Sequence, residues 1–153
     1  MRKVMLGLVA GAVVLGGPVV SVQAAGDPIA VRKAVMQSVG AAAGLGGGMM
    51  KGEIAYTPAA GKAAIASMNA AALSYGDFFP EGSESGGDTT AAAAIWEDRA
   101  GFAQELAKFA SATGGAMQAS GKDGPADLDA FKAAFGPVLQ TCKSCHEGFR
   151  VKR

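Results

Sequence analysis

The chain has 153 residues and a formal net charge of +1, and half of its residues are hydrophobic while 18% are charged. This length suits one domain and is too short for two. The apolar content excludes a disordered chain, and the near-zero charge argues against a nucleic-acid-binding protein, which needs a basic face. Only 7% of the residues are aromatic and alanine is abundant, which favours closely packed helices over a β-sandwich.

The N-terminal residues have the features of a secretory signal peptide. Arg2 and Lys3 make the start basic, residues 4–20 carry no charge, and residues 22–24 place small side chains at the two positions that signal peptidase reads. The alternative is a retained membrane anchor, but the apolar run is broken by glycines and is marginal in length for a span. We therefore predict a cleaved signal peptide over residues 1–24. The mature domain, residues 25–153, then has no membrane span and works in an exported, oxidising compartment.

Two helices are predicted in the first half of the mature chain. Asp27 and Pro28 suit the cap and the first turn of helix one. The glycines within residues 44–48 weaken the end of this helix, or mark a place where helices or subunits approach closely. A second helix is predicted from Thr57 and Pro58. Its apolar face consists of Ile65, Met68, Ala72 and Tyr75.

Two further helices are predicted after a turn-rich loop at residues 80–87. Asp88 is the predicted N-cap of the third helix, which glycines at 114–115 and residues 121–125 break. Its helical periodicity is the clearest in the chain, with residues repeated at steps of three and four along one face. They are Ile95, Arg99, Phe102, Leu106, Phe109, Thr113 and Met117. A fourth helix is predicted from near Pro125, with a kink at Pro137. Its face consists of Leu128, Phe131, Phe135, Val138, Cys142, Cys145 and Phe149.

The predicted fold class follows from the number and kind of these elements. No segment alternates with period two for long enough to form a strand. Four amphipathic helices with modest connections share one core only by packing side by side. The sequence therefore predicts an all-α domain, an antiparallel up-down-up-down four-helix bundle.

Both cysteines and the only histidine of the chain lie in Cys-Lys-Ser-Cys-His, residues 142–146. The pattern C-x-x-C-H is typical of c-type haem attachment. Residues three and four apart share one face of a helix, so two thiols one turn apart add to the two vinyl groups of one porphyrin. We therefore predict one haem c per chain, linked through Cys142 and Cys145, with His146 as the iron ligand.

Other uses of this motif are weaker. A disulfide between two cysteines within one helical turn closes a strained loop and stabilises little. A thiol redox site is expected on a βα unit, and the chain shows no strand pattern. A structural zinc site needs four ligands, whereas the chain offers two cysteines and one histidine. Chance is a poor explanation of the motif, because both cysteines and the only histidine of the chain would have to fall at the required spacing by accident.

Several segments, together with the position of the motif only seven residues from the C-terminus, resemble one family. These segments are Asp27-Pro28, residues 32–36, Gly52-Glu53, residues 79–83, Ile95-Trp96 and Phe135-Gly136. The sequence resembles cytochrome c′, the class II c-type cytochromes, over nearly the whole mature chain. The resemblance implies a four-helix bundle, commonly dimeric, with the haem between helices and a location in a bacterial periplasm.

The resemblance also implies roles for three polar residues. Arg32 and Lys33 match a basic pair beside a haem propionate, where a half-buried carboxylate needs a cation. The alternative for Arg32 is an ordinary solvated helix residue. Asp88 resembles a polar position near the other haem edge, although a helix N-cap alone explains it.

Met36 is the predicted partner of iron on the face opposite His146. It follows Arg32 by four residues and shares its helix face. The family has members in which a methionine here binds iron and members in which it only covers the haem, so ligation stays open.

We expect a periplasmic electron carrier that exchanges electrons with redox proteins. The alternative is a five-coordinate haem protein that binds nitric oxide or carbon monoxide. Enzymatic turnover is not expected, because the only histidine is predicted to bind iron and no other nucleophile–base pair is apparent.

Basic residues surround the predicted attachment site. They are Lys143, Arg150, Lys152 and Arg153. A basic rim around a haem edge steers an acidic redox partner. The alternative is that cations simply favour helix C-termini and solvated tails.

Overall fold

The computed structural model describes residues 26–152, so the predicted signal peptide lies outside the described residues. Within that range the chain forms five α-helices and one 3₁₀ turn. They are α1 (Pro28–Lys51), α2 (Pro58–Ser74), the 3₁₀ turn Tyr75–Phe78, α3 (Ala94–Glu97), α4 (Arg99–Ser120) and α5 (Leu128–Phe149). None of these helices is both long enough and apolar enough to cross a bilayer.

The four long helices form the bundle that the sequence predicts. Helix α1 packs on α2, α2 on α4, α4 on α5, and α5 returns to α1, which closes the ring. Side-chain caps set the helix starts, because each accepts a hydrogen bond from a backbone N–H that has no partner inside the helix. These caps are Asp27 for α1, Thr57 for α2, Asp98 for α4 and Asp127 for α5.

Helix α1 runs through its glycine cluster and ends only at Lys51, where Gly52 adopts a left-handed φ of 77°. The cluster has a packing reason. The ring of Phe135 in α5 lies so close to Gly46 that any added Cβ would overlap it, and Gly48 faces Ile54 in the same way. Gly46 therefore allows close approach of α1 and α5, and Gly48 allows the chain after α1 to fold back onto the helix, which offsets the lower helix propensity.

The prediction that Asp88 caps the third helix is wrong. Asp88 is exposed in a loop with a φ of 53°, and the next long helix starts eleven residues later with Asp98 as its cap. Tertiary pairing is the reason. The Ala92 N–H donates to the Phe149 carbonyl at 3.1 Å and the Val151 N–H donates to the Thr90 carbonyl at 2.9 Å. This segment is therefore held extended against the end of α5.

Neither the glycines at 114–115 nor Pro137 ends its helix. The glycines at 114–115 do not break the third long helix, since both lie inside α4, which ends at Gly121 with a φ of 56°. Pro137 lies inside α5, and the helix continues past it to Phe149. The haem motif therefore lies on a continuous helix.

The main core occupies one end of the bundle, which we call the core end. Its largest fully buried side chains come from α1, α2, α4 and α5 and are Met49, Ile65, Met68, Thr113, Phe131, Phe135 and Val138. A smaller aromatic cluster of Phe79, Ile95 and Phe102 lies at the other end, where α5 carries the cysteines. We call this the cavity end, because an open space separates this cluster from the main core.

Candidate cofactor site

A cavity of about 510 Å³ lies at the cavity end of the bundle. This volume falls within the range of about 300–1,000 Å³ that is usual for ligand sites. Its walls come from α1, the 3₁₀ turn, residues 89–91, the first half of α4 and the last two turns of α5. Most of the wall is apolar, and its larger apolar members are Met36, Val39, Phe79, Ile95, Phe102, Leu106, Phe109 and Phe149.

Helix α5 brings the three predicted attachment residues to one wall of this cavity. Cys142, Cys145 and His146 all line it, and both cysteines are half-buried free thiols. Burial raises the pKa of Cys142, and it raises the pKa of Cys145 to about 11 together with the nearby charges of Glu105 and Cys142. Both thiols are therefore protonated at neutral pH.

His146 follows Cys145 directly and lines the same wall. Partial burial and the positive charge of Arg150 lower its pKa. The neutral imidazole is the form that binds a metal ion. The environment of His146 thus favours the protonation state that iron ligation needs.

Arg32 on α1 is buried, with 2% of its surface exposed, so it is not the solvated helix residue of the alternative interpretation. Its terminal nitrogens donate to the Ser83 carbonyl at 2.7 Å, the Ser83 hydroxyl at 3.0 Å and the Thr89 hydroxyl at 2.8 Å. The guanidinium also lies over the Phe79 ring at 5.0 Å. Arg32 therefore ties α1 to the loop at residues 78–89, a role that the sequence did not predict.

The Nε atom of Arg32 is buried without a hydrogen-bond partner. This unsatisfied buried donor is a local cost of the link. A molecule in the cavity does not reach this atom, but Arg32 as a whole lines the cavity and brings its positive charge to the wall, where an acidic group such as a haem propionate needs a cation.

The other predicted site residues divide into two groups. Lys33 and Met36 line the cavity from α1, with Met36 half-buried. The Lys33 ammonium donates to the Gly87 carbonyl at 2.8 Å. Asp88 follows Gly87 but lies outside the cavity wall.

Sequence reasoning missed two ionisable members of the wall. Glu105 on α4 and Tyr75 in the 3₁₀ turn both line the cavity, and burial raises the pKa of Tyr75 to about 12. Glu105 lies three residues after Phe102 and four before Phe109, so the helical stripe contained the signal for its inward position. Tyr75 was placed on the apolar face of α2, but its role at a cavity depends on how the helices meet.

These residues fit a covalently attached haem. Two protonated free thiols one helical turn apart adjoin a neutral imidazole, and the cavity beside them is apolar-walled and large enough for a cofactor. Three cations stand on its wall, namely Arg32, Lys33 and Arg150. Across residues 26–152 no group of three or more histidine, cysteine or acidic side chains is arranged to hold a metal ion directly.

Comparisons with known proteins agree with this site. Residues 27–150 match the family described as Cytochrome C′. The chain is 38% identical over 151 residues to a cytochrome c′ from Rhodopseudomonas palustris, covering 99% of each chain.

Solved structures agree as well. A cytochrome c′ structure from Rhodopseudomonas palustris superposes with a TM-score of 0.74 at 38% identity, covering 84% of this chain and 98% of that one. The nitric oxide complex of a cytochrome c′ variant from Alcaligenes xylosoxidans superposes with a TM-score of 0.70 at 28% identity, covering 82% and 94%. Proteins of this family carry covalently bound haem c. The chain described here belongs to the cytochrome c′ family.

Proposed function

We propose that this chain is a periplasmic electron carrier that exchanges electrons through the exposed edge of its haem site. When bound, the haem supplies an iron that cycles between ferric and ferrous states. The observation that carries the proposal is the position of the attachment turn, where Cys142 and Cys145 are half-buried and His146 is exposed. A cofactor held there lies at the surface, where a partner protein approaches it closely.

Charge around this turn supports an acidic redox partner. The side chain of Lys143 is 81% exposed, and its ammonium lies 3.7 Å from the Glu147 carboxylate. An ion pair this exposed contributes little to stability. Arg150 and Lys152 are exposed beyond it. A basic rim accelerates encounter with an acidic surface, and the acceleration declines as salt rises.

The chain's own residues have separate tasks in this proposal. Cys142 and Cys145 would hold the cofactor through thioether bonds, and the neutral imidazole of His146 would bind its iron. Arg32 would provide a positive charge for a haem propionate, and the apolar wall would exclude water. Met36 lines the same cavity, and its thioether, a soft ligand, would be the second protein ligand of the iron in an electron carrier. We propose binding and electron transfer rather than enzymatic turnover, because the sole histidine is committed to the haem.

Electron exchange with a small acidic redox protein tests the role directly. Stopped-flow rates are measured over a range of ionic strength for the natural chain and for Lys143→Gln combined with Arg150→Gln. We expect slower exchange and a flatter salt dependence in the variant. The control is Lys132→Gln, which removes one cation at the other end of α5. Equal rates and equal salt dependence in all three proteins would remove the support for docking at this rim.

A second candidate function is binding of a small neutral gas. The observation that favours it is the apolar wall around Met36, formed by Val39, Ala43, Leu106 and Phe109. Such a wall admits an uncharged diatomic molecule. A similar cytochrome c′ variant forms a nitric oxide complex, which is consistent with this candidate.

Absorption spectra separate the two candidates. Spectra of oxidised and reduced protein are recorded before and after carbon monoxide, in the natural chain and in Met36→Leu. A low-spin spectrum that becomes high-spin in Met36→Leu supports methionine ligation and the electron carrier. A high-spin ferrous spectrum that changes at once with carbon monoxide, alike in both proteins, supports the gas-binding function and contradicts Met36 ligation.

A further inference from the structure

Glu105 is an unusual member of the cavity wall. Among the cavity-lining residues of the described chain it alone carries a carboxylate, whereas Arg32, Lys33 and Arg150 carry cations. The three cations match the acidic propionates of a haem. A carboxylate on the same wall has no such match and calls for a different explanation.

The Glu105 carboxylate is held firmly and is tied to the attachment turn. One of its oxygens accepts a hydrogen bond from the Ser144 hydroxyl at 2.6 Å, and the other contacts the Lys108 ammonium at 2.5 Å. Ser144 stands between the two attachment cysteines. Hydrogen bonds from Lys108 and then Ser144 lower the pKa of Glu105, so its negative charge is present at neutral pH.

The pair formed by Glu105 and Lys108 is asymmetric in its exposure to water. The Glu105 side chain is 12% exposed, whereas the Lys108 side chain is 59% exposed. Water and salt screen an exposed charge much more than a withdrawn one. The cavity therefore experiences a net negative field from this pair, although its formal charges cancel.

We propose that Glu105 is an electrostatic determinant of the haem reduction potential, through a negative charge held beside the attachment turn. A ferric centre carries one more positive charge than a ferrous one, so the carboxylate favours the ferric state and lowers the potential. Nearby charge and solvent exposure are known levers on such centres. The inference rests on the family's covalent haem, and it holds whether or not Met36 binds iron.

The test is a spectroelectrochemical titration of the haem-loaded proteins. In Glu105→Gln, which keeps the shape and a hydrogen-bond acceptor for Ser144, we expect the ferric/ferrous equilibrium to shift about threefold toward ferrous, a rise of about 28 mV for one electron. Glu105→Asp, which retains the charge, returns the potential toward that of the natural chain. Lys108→Met, which removes the compensating cation, shifts the potential downward by a smaller amount.

A matched control comes from the opposite end of α5. Asp129 pairs with Lys132 at 3.6 Å with the same i,i+3 spacing, but its side chain is 93% exposed and it does not line the cavity. Asp129→Asn removes one paired carboxylate and leaves the potential unchanged. A shift in Glu105→Gln no larger than that of Asp129→Asn overturns the proposal.

A second variant keeps the proposal testable if the first one does not fold. If Glu105→Gln does not accumulate with haem, the reduction potential of Lys108→Met tests the proposal instead. An unchanged or raised potential in that variant overturns it. Haem content is measured in every protein by mass and by the absorbance of the pyridine complex. A natural chain without covalent haem contradicts the cofactor assignment itself, which is a different failure from an unmoved potential.

Discussion

The two ends of the bundle use the same four helices in opposite ways. At the core end, side chains such as Phe131, Phe135 and Ile65 are fully buried and fill the space between the helices. At the cavity end, the helices leave a space of about 510 Å³. A small aromatic cluster lines part of it, in which Phe79 and Phe102 pack edge to face at 4.9 Å.

The difference shows which interactions stabilise each end of the bundle. Burial of apolar surface stabilises the core end without help. The cavity end contains a polar link from Arg32 to Ser83 and Thr89 and lacks the side chains that would fill its centre. We infer that a covalently bound haem completes the packing there, and four predictions examine this contrast.

The largest effect is expected from removing the cofactor. In the double variant Cys142→Ala with Cys145→Ala, covalent haem is lost completely, because no thioether forms. Amide hydrogen exchange then increases by about tenfold or more in α3 and the start of α4, while α2 keeps its protection, since local stability follows local packing. Mass spectrometry and hydrogen exchange measure both effects. The control is Lys143→Ala, which keeps both thiols and the haem. Uniform loss of protection at both ends contradicts the contrast.

The next largest effect is expected in the core itself. Phe135→Ala removes a fully buried ring and is expected to lower the free energy of unfolding by about 3–5 kcal/mol. Urea denaturation of the haem-loaded protein measures this loss. The control, Leu73→Ala, changes a residue that is 71% exposed and costs less than about 0.5 kcal/mol. A loss below about 1 kcal/mol for Phe135→Ala would show that the core end is not the main source of stability.

An intermediate effect is expected at the polar link of the cavity end. Arg32→Met removes charged hydrogen bonds to Ser83 and Thr89 and costs about 1.5–3 kcal/mol of unfolding free energy. Arg32→Lys does not restore it, because a lysine cannot reproduce the planar fork of donors. Proteolysis of the loop at residues 78–89 should accelerate in both variants. Lys51→Met changes an exposed cation at the end of the same helix that does not line the cavity, and it serves as the control. Equal losses for Arg32→Met and Lys51→Met would contradict the link.

The smallest effect is expected from two glycines with opposite surroundings. Gly46→Ala places a methyl group against the Phe135 ring and is expected to destabilise the fold by about 1–3 kcal/mol. Gly115 is exposed within α4, and a Cβ there meets nothing within 4 Å. Gly115→Ala is therefore expected to stabilise the protein by up to about 1 kcal/mol through helix propensity. Thermal denaturation compares the two, and the same sign for both changes would refute the packing reason for Gly46.

Local patterns predicted much of the molecule. Helical spacing and capping residues predicted four long helices, and the bundle and the family are confirmed. The placement of Cys142, Cys145 and His146 on one wall depends on spacing within a single helix, so it was readable from the chain. The N-cap assigned to Asp88 was wrong, because backbone pairing between residues 90–92 and the end of α5 holds that segment extended.

The amino-acid sequence by itself determined the number of long helices and the chemistry of attachment, because both follow from residue types repeated over a few turns of one chain segment. Only the tertiary structure decided which polar side chains surround the cofactor. Arg32 meets Ser83 across 51 residues and Glu105 meets Ser144 across 39. Such contacts depend on how separate helices are brought together, and no spacing along the chain records that.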